Sequence, residues 1–202
     1  MTAATHVARV DLRVDDVATS ARFYRDAVGL TGEHELRAGD GPVLLTLRAD
    51  GVTGPAPARA TGLFHVAVRY PTRAGLAAAL RRVAASGARL SGASDHGVSE
   101  ALYLDDPAGN GVELYWDRRR EVWPAEMFTA PLDLPDLLAE GSDELEPDAA
   151  AGTDIGHVHL KVADLERAVA FYTGEVGLAV EHRYGAAAAF LAAGHYHHHV
   201  GL

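Results

Sequence analysis

The 202-residue sequence contains no cysteine, which excludes a disulfide framework, a thiolate metal site and a cysteine nucleophile. It has no apolar run close to the ~20 residues that cross a bilayer, and its N-terminus lacks the basic and then apolar segments of a signal peptide. Positive charge is scarce, since 18 Lys and Arg stand against 28 Asp and Glu and leave a net charge of −10. A nucleic-acid backbone is therefore not an expected partner, and we expect a cytoplasmic protein without a membrane segment.

Histidine, by contrast, is abundant. There are eleven histidines in a chain of otherwise ordinary globular composition, with 48% hydrophobic and 23% charged residues. Several lie in segments that alternate like strands, where a half-buried imidazole needs a hydrogen-bonding or metal-binding reason.

The chain repeats itself at an offset of 148 residues, since residues 9–30 and 157–178 share one pattern without a gap. Each copy begins with an alternating strand and continues with apolar residues at helical spacing. The shared positions include two aspartates suited to a helix start and two glycines suited to a helix end: Asp16, Asp164, Gly29 and Gly177. The repeat therefore predicts a strand, a helix and then further short strands in each copy.

A third unit of the same kind lies between these copies. Its pattern predicts a strand over 62–70, an alanine-rich helix over 73–86, and a hairpin of 101–106 with 111–116. We therefore predict an α+β fold of repeated βαβββ modules, with mixed curved sheets and helices on the outside. The predicted division is an N-terminal domain 1–117 with modules at about 5–52 and 60–117, a linker 118–153 with a short helix near 133–140, and a third module 154–202.

Strand alternation places polar side chains on the face opposite the helices, and these include His65, Glu113, His157 and His159. Two imidazoles and one carboxylate from separate strands can hold a divalent iron and leave three positions open. Each histidine taken alone has a plainer interpretation as a hydrogen-bonded structural residue. The pattern therefore predicts a polar cleft, and a metal site within it only if these strands converge.

The segment from His96 to Glu113 resembles the signature of type I extradiol ring-cleavage dioxygenases. A histidine is followed by an apolar residue and Tyr103, then by Asp106-Pro107, a glycine and the final glutamate, at the spacing of that signature. Ser94 departs from it mildly. The βαβββ repeats and the strand openings resemble the vicinal oxygen chelate (glyoxalase–bleomycin resistance) superfamily, and most of all its two-domain catechol 2,3-dioxygenases.

That resemblance implies an Fe(II) ion held by His65, Glu113 and His157, and Mn(II) suits the same ligands. It implies that Tyr103 and His96 hydrogen-bond the substrate and oxygen. The acid/base histidine of the family matches His198 best and His197 next, and alternation leaves open which of 197–199 faces the site. The implied reaction is extradiol cleavage of a catechol by O₂ to a 2-hydroxymuconic semialdehyde type product.

Two departures from the family shape further expectations. The signature lies in the second unit and His157 in the third, so these two units must share one cleft. The chain also lacks a fourth module, so we expect either a truncated form or a homo-oligomer that covers the exposed surface. Two other functions stay open: a metal-free, ligand-sequestering resistance-type protein, and a glyoxalase-like metal-dependent lyase or isomerase.

Overall fold

The structure is a computed structural model that describes residues 5–51, 57 and 60–202. Its fold is mixed α+β, as predicted, and the described residues form two sheets. The smaller sheet has three strands in the order β1-β3-β2. Its strands and the helix between the first two are β1 (Val10–Arg13), α1 (Val17–Phe23, continued as a π-helical turn over Tyr24–Val28), β2 (Glu35–Arg37) and β3 (Val43–Arg48).

The larger sheet has nine strands in the order β10-β11-β12-β9-β4-β7-β6-β5-β8. In chain order these are β4 (Gly62–Tyr70), β5 (Leu90–Asp95), β6 (Ser99–Asp105), β7 (Gly111–Asp117), β8 (Ala130–Pro131), β9 (Asp154–Lys161), β10 (Ala179–Tyr184), β11 (Ala188–Ala192) and β12 (Val200–Gly201). The other helices are α2 (Arg73–Ser86), α3 (Leu134–Leu138) and α4 (Leu165–Gly174).

The second and third units are joined edge to edge, because β4 pairs antiparallel with β9 and parallel with β7. The two strands that start these units therefore lie side by side in the middle of one sheet. The division of the chain at 117 and 153 stays a prediction, but the sheet runs across it. The predicted linker also takes part in the fold, since β8 pairs with β5.

Local sequence explains the helix boundaries. The side chains of Asp16 and Asp164 accept hydrogen bonds from backbone N–H groups in the first turns of α1 and α4, as predicted for these aspartates. Helix α2 spans the predicted residues, with Thr72 as its N-cap and Gly87 in the left-handed conformation at its end.

The first unit packs against the second. Tyr24, fully buried at the end of α1, donates from its hydroxyl to Asp106, and the Val28 carbonyl accepts from Tyr70 and Arg82. The helix of the third unit is more open on this side, since Phe171, the counterpart of the partly buried Phe23, is 53% exposed. In the described part of the chain, no helix is long and apolar enough to cross a membrane.

Candidate metal centre and cavity

Three neighbouring strands of the larger sheet bring together the donors that the sequence places far apart. His65 lies on β4, Glu113 on β7 and His157 on β9. Glu113 and His157 are both register partners of Ala67 on β4, and Ala67 shares a face of the strand with His65. All three side chains therefore project from one face, around an alanine too small to separate them.

The two imidazoles converge on one carboxylate oxygen. Glu113 Oε2 lies 2.9 Å from His65 Nε2 and 3.1 Å from His157 Nε2, and one donor atom from each residue lies within 4.8 Å of the others. Exposure is 7% for His65, 4% for Glu113 and 1% for His157. The cluster is thus a buried one, shielded from bulk water.

Burial and mutual contact set the charge states of the cluster. Burial favours the neutral form of Glu113, but the charge and hydrogen bond of His157, with His65 beside it, hold the pKa of Glu113 well below its usual range. Burial lowers the pKa of His157 to about 4 against the opposing effect of Glu113. Near neutral pH the site therefore offers an unprotonated His157 ring and an ionised carboxylate, which are the forms that bind a divalent metal.

The cluster fits a metal ion better than a closed hydrogen-bond network. His65 Nε2 is buried and, among the described residues, has no hydrogen-bond partner, although Glu113 Oε2 lies 2.9 Å away. Ligand atoms held at right angles about 2.1 Å from one ion are about 3 Å apart. The two nitrogen–oxygen distances have this value, so the residues present fit a two-histidine, one-carboxylate site.

A cavity of about 770 Å³ opens beside the cluster, a size common for small-molecule sites. Its apolar walls include Phe64, Met127, Phe128 and Phe190. Its polar lining includes His65, Glu113, His96, Tyr103, His159 and His198. None of the described lining residues is Lys or Arg. Met127 and Phe128 come from the predicted linker, whose composition gave no sign of this role.

Tyr103 and His96, the other two residues of the signature, form a hydrogen-bonded pair at the cavity wall. His96 Nδ1 lies 3.2 Å from the Phe128 carbonyl oxygen, which can only accept, so we assign the ring proton to Nδ1. In the neutral ring His96 Nε2 then accepts from the Tyr103 hydroxyl at 2.9 Å. Burial, with the charge of Glu113, raises the pKa of Tyr103, so its hydroxyl stays protonated.

The histidines near the C-terminus do not lie on a regular strand. The segment 193–199 is irregular, with positive φ at Gly194 and His195, so the strand alternation considered for it does not apply. Instead, His198 lines the cavity and packs against His157 in a tilted contact, with ring centroids 4.0 Å apart and an interplanar angle of 46°. His197 turns the other way, to Asp117. His199 accepts from the backbone N–H of Ala193.

The resemblance assigned no role to His159, although alternation predicts it on the same face as His157. It pairs with His65 across β9 and β4, with ring centroids 5.1 Å apart, and lines the cavity. Burial and the neighbouring His65 and His157 lower its pKa to about 4. Its other neighbour is Gly201, where a Cβ atom would lie 2.8 Å from the imidazole. The glycine therefore makes room for the ring.

Comparisons with known proteins agree with this architecture. The model of the Glyoxalase/Bleomycin resistance protein/Dioxygenase superfamily matches residues 5–114. The chain is 40% identical over 212 residues to the catechol-2,3-dioxygenase of Bacillus subtilis (strain 168), a match that covers 98% of this chain and 74% of that protein. The chain therefore belongs to the Glyoxalase/Bleomycin resistance protein/Dioxygenase superfamily.

Two solved structures show the same fold at low identity. One is a Bacillus subtilis protein with a provisional dioxygenase name, at a TM-score of 0.63 and 14% identity, covering 98% of this chain and 63% of that one. The other is the cppA protein of Streptococcus pneumoniae TIGR4, at a TM-score of 0.51 and 12% identity, covering 77% of this chain and 63% of that one. At these identities the likeness concerns the fold alone.

Proposed function

We propose that the protein is a non-haem Fe(II)-dependent extradiol dioxygenase that cleaves a catechol ring with O₂. The observation that carries this proposal is the buried cluster of two imidazoles and one carboxylate beside an apolar cavity. The relative named catechol-2,3-dioxygenase supports it. Both oxygen atoms of O₂ enter the 2-hydroxymuconic semialdehyde type product and the ring supplies all the electrons, so the reaction needs no further reductant.

The proposed ligands are His65, Glu113 and His157, and the same donors suit Mn(II). Bound divalent iron would supply Lewis-acid binding of both catechol oxygens and one-electron chemistry toward O₂. Because the ligands come from one side, the cavity remains free for the two co-substrates. A site of three protein ligands on one face is therefore consistent with an enzyme, whereas a structural site is closed on all sides.

The chain's own residues have distinct proposed roles around the substrate. His198 accepts a proton from a catechol hydroxyl and returns one when the ring opens. When the Tyr103–His96 hydrogen bond opens to admit the ligands, these two side chains hydrogen-bond the substrate oxygen and the incoming O₂. The aromatic walls, among them Phe64 and Phe190, hold the ring by face and edge contacts and keep water away from the reacting atoms.

The test is anaerobic loading with Fe(II), removal of free metal, and addition of catechol in air. We expect one metal ion per chain and a yellow ring-cleavage product. His65→Ala should abolish both, whereas His34→Ala, which removes an exposed histidine of the first unit, should leave both unchanged. Bound metal without ring cleavage would indicate a lyase or isomerase, and no bound metal would indicate a sequestering protein.

Two further properties complete the proposal: a cytoplasmic location and a homo-oligomeric state. The open surface around Phe171 is the feature that favours association. Cell fractionation tests the location, and light scattering coupled to gel filtration tests the assembly. A monomer at micromolar concentration would remove the second property and leave the proposed reaction untouched.

A further inference from the structure

A chain of three hydrogen-bonded side chains runs from the end of β7 to the cavity. Asp117 Oδ1 lies 2.9 Å from His197 Nε2, and His197 Nδ1 lies 2.7 Å from His198 Nδ1. The two rings are only 5% and 7% exposed. Solvent therefore has little access to either hydrogen bond, and each ring must find its partners among these three side chains.

The direction of these hydrogen bonds follows from the acceptor at their start. Burial would raise the pKa of Asp117, but hydrogen bonds from His197 and Tyr196 and the charge of Arg69 lower it, so the group is a carboxylate and can only accept. His197 Nε2 therefore carries a proton. In a neutral His197 ring, Nδ1 is then an acceptor, and the proton between the two rings belongs to His198 Nδ1.

We propose that Asp117 and His197 are positioning residues that hold His198 as its Nδ1–H tautomer, with the lone pair of Nε2 available to the cavity. The tilted contact with His157 at 4.0 Å and the edge contact with Phe190 at 4.9 Å hold the ring in place. In this form His198 can take a proton from a substrate hydroxyl. That last step rests on the proposed function, whereas the tautomer rests on the hydrogen bonds alone.

The second oxygen of Asp117 makes a specific variant informative. Oδ2 accepts from the Tyr196 hydroxyl at 2.7 Å and from Arg69 Nη1 at 3.2 Å. Arg69 can only donate, so in Asp117→Asn the amide oxygen should stay on that side and the amide N–H₂ should face His197. His197 would then carry its proton on Nδ1, and His198 would be forced into the Nε2–H tautomer.

The matched control is Asp154→Asn, the same substitution on the other carboxylate that binds Arg69. Asp154 accepts from Arg69 at 2.9 and 2.7 Å and has no part in the chain to His198. Both variants remove one negative charge beside the same guanidinium. A difference between them therefore reports on His197 and His198 rather than on the loss of an ion pair.

The tautomer is measured directly by long-range ¹H–¹⁵N correlation in the full-length, metal-free protein with labelled histidine. We expect His198 to carry its proton on Nδ1 in the wild type and in Asp154→Asn, and on Nε2 in Asp117→Asn. A wild-type His198 with its proton on Nε2, as a doubly protonated His197 would enforce, overturns the proposal. So does an unchanged tautomer in Asp117→Asn.

Kinetics of the iron-loaded protein give the second measurement. Asp117→Asn should lower kcat by about 10²-fold or more, while KM stays within about threefold and the metal content is unchanged. Asp154→Asn should keep kcat within about threefold. Equal losses in the two variants would contradict a positioning role. A wild type that shows the expected tautomer but cleaves no catechol would overturn the proposed function and leave the positioning of His198 standing.

Discussion

Glu113 Oε2 lies 3.1 Å from His157 Nε2, although 44 residues separate the two side chains. The reason is Ala67, which pairs with Glu113 on one side and with His157 on the other. Neighbouring strands are about 4.8 Å apart, so residues opposite a common partner come within reach of one ion. The donor set is therefore a property of strand register, and local loop structure contributes little to it.

A larger side chain at position 67 should damage this site specifically. Ala67 is fully buried beneath the donors, so Ala67→Leu would need the space between Glu113 and His157. We expect a loss of about 1–3 kcal/mol in unfolding free energy from overpacking and the loss of stoichiometric metal binding. Urea unfolding and metal analysis after removal of free ion provide the two measurements.

The control for this variant is Ala79→Leu, which overpacks an equally buried alanine of α2 far from the cluster. It should lose similar stability and keep its metal. The smaller Ala67→Val serves if the leucine variant does not fold. Full metal occupancy in a folded position-67 variant would refute the proposed ligand geometry.

The metal-free protein should lose stability as the pH falls from about 6.5 toward 4. Burial holds the folded-state pKa values of His157 and His159 at about 4, below the ~6.5 of the unfolded chain. As the pH falls, the unfolded state therefore takes up these protons first. The stabilisation is fully present above pH ~6.5 and declines through that window.

Urea unfolding at several pH values between about 7.5 and 5 measures this slope. His159→Gln should flatten it, because the variant removes one of the imidazoles whose pKa burial lowers. His34→Gln, at an exposed position, should keep the wild-type slope. Identical slopes in all three proteins would show that His159 is not protected from protonation in the folded state.

The internal repeat offers a matched pair of glycines. Gly29 and Gly177 have φ values of +87° and +82°, so alanine at either position costs about 1–2 kcal/mol in a left-handed conformation. A Cβ at Gly29 would also lie 2.7 Å from the Ala149 nitrogen and 2.8 Å from Arg82 Nε, whereas a Cβ at Gly177 has no atom within 4 Å among the described residues.

We therefore expect Gly29→Ala to destabilise the protein by at least ~1 kcal/mol more than Gly177→Ala in urea unfolding. The difference measures how tightly the first unit packs on the second. Equal costs would mean that the contact of Gly29 with Arg82 yields easily, and that the first unit is held mainly by other contacts.

The lining of the cavity predicts the charge of the preferred substrate. Its described walls carry aromatic and polar side chains but no Lys or Arg to pair with a carboxylate. We expect kcat/KM for catechol and 4-alkylcatechols to exceed that for 3,4-dihydroxybenzoate by about tenfold or more, since a buried carboxylate without a partner is costly. Steady-state ring cleavage and equilibrium binding of both classes would test this.

The same prediction can be tested by placing a cation in the cavity wall at Tyr184. This residue lines the cavity and is 71% exposed, so a new side chain there has room. Tyr184→Arg should narrow the preference for uncharged catechols, and Tyr184→Gln should not. A wild type that prefers carboxylated catechols would show that a cation reaches the substrate from outside the described lining.

Local patterns predict the elements better than their assembly. The periodicity of 73–86 and the turn residues before 111–116 depend on neighbours in the chain, and α2 and the β6–β7 hairpin follow these predictions closely. The β4–β9 pairing joins segments about ninety residues apart, and alternation within each strand cannot specify its partner. That the second and third units share a cleft was predicted on other grounds, because each of them carries only part of the proposed ligand set.

Other features of the site depend on contacts that no local pattern encodes. Met127 and Phe128 line the cavity only because β8 pairs with β5 and carries the preceding segment over it. The irregular backbone at 193–199 places His197 and His198 in different surroundings. Strand alternation could not predict which of these histidines faces the cavity. The ligand and acid/base roles of the predicted residues stay predictions until the variants above are made.

The pairing of β4 with β9 also bears on how the proposed metal site would gain and lose its ion. Hydrogen-bonded strands already space the donors in the absence of an ion, so we expect the proposed site to take up metal without refolding and with little movement of the backbone. Exchange of the ion should then be limited by the route through the cavity mouth. Strong chelators would extract metal slowly from an intact fold, and the emptied protein would accept a new ion without passing through an unfolded state.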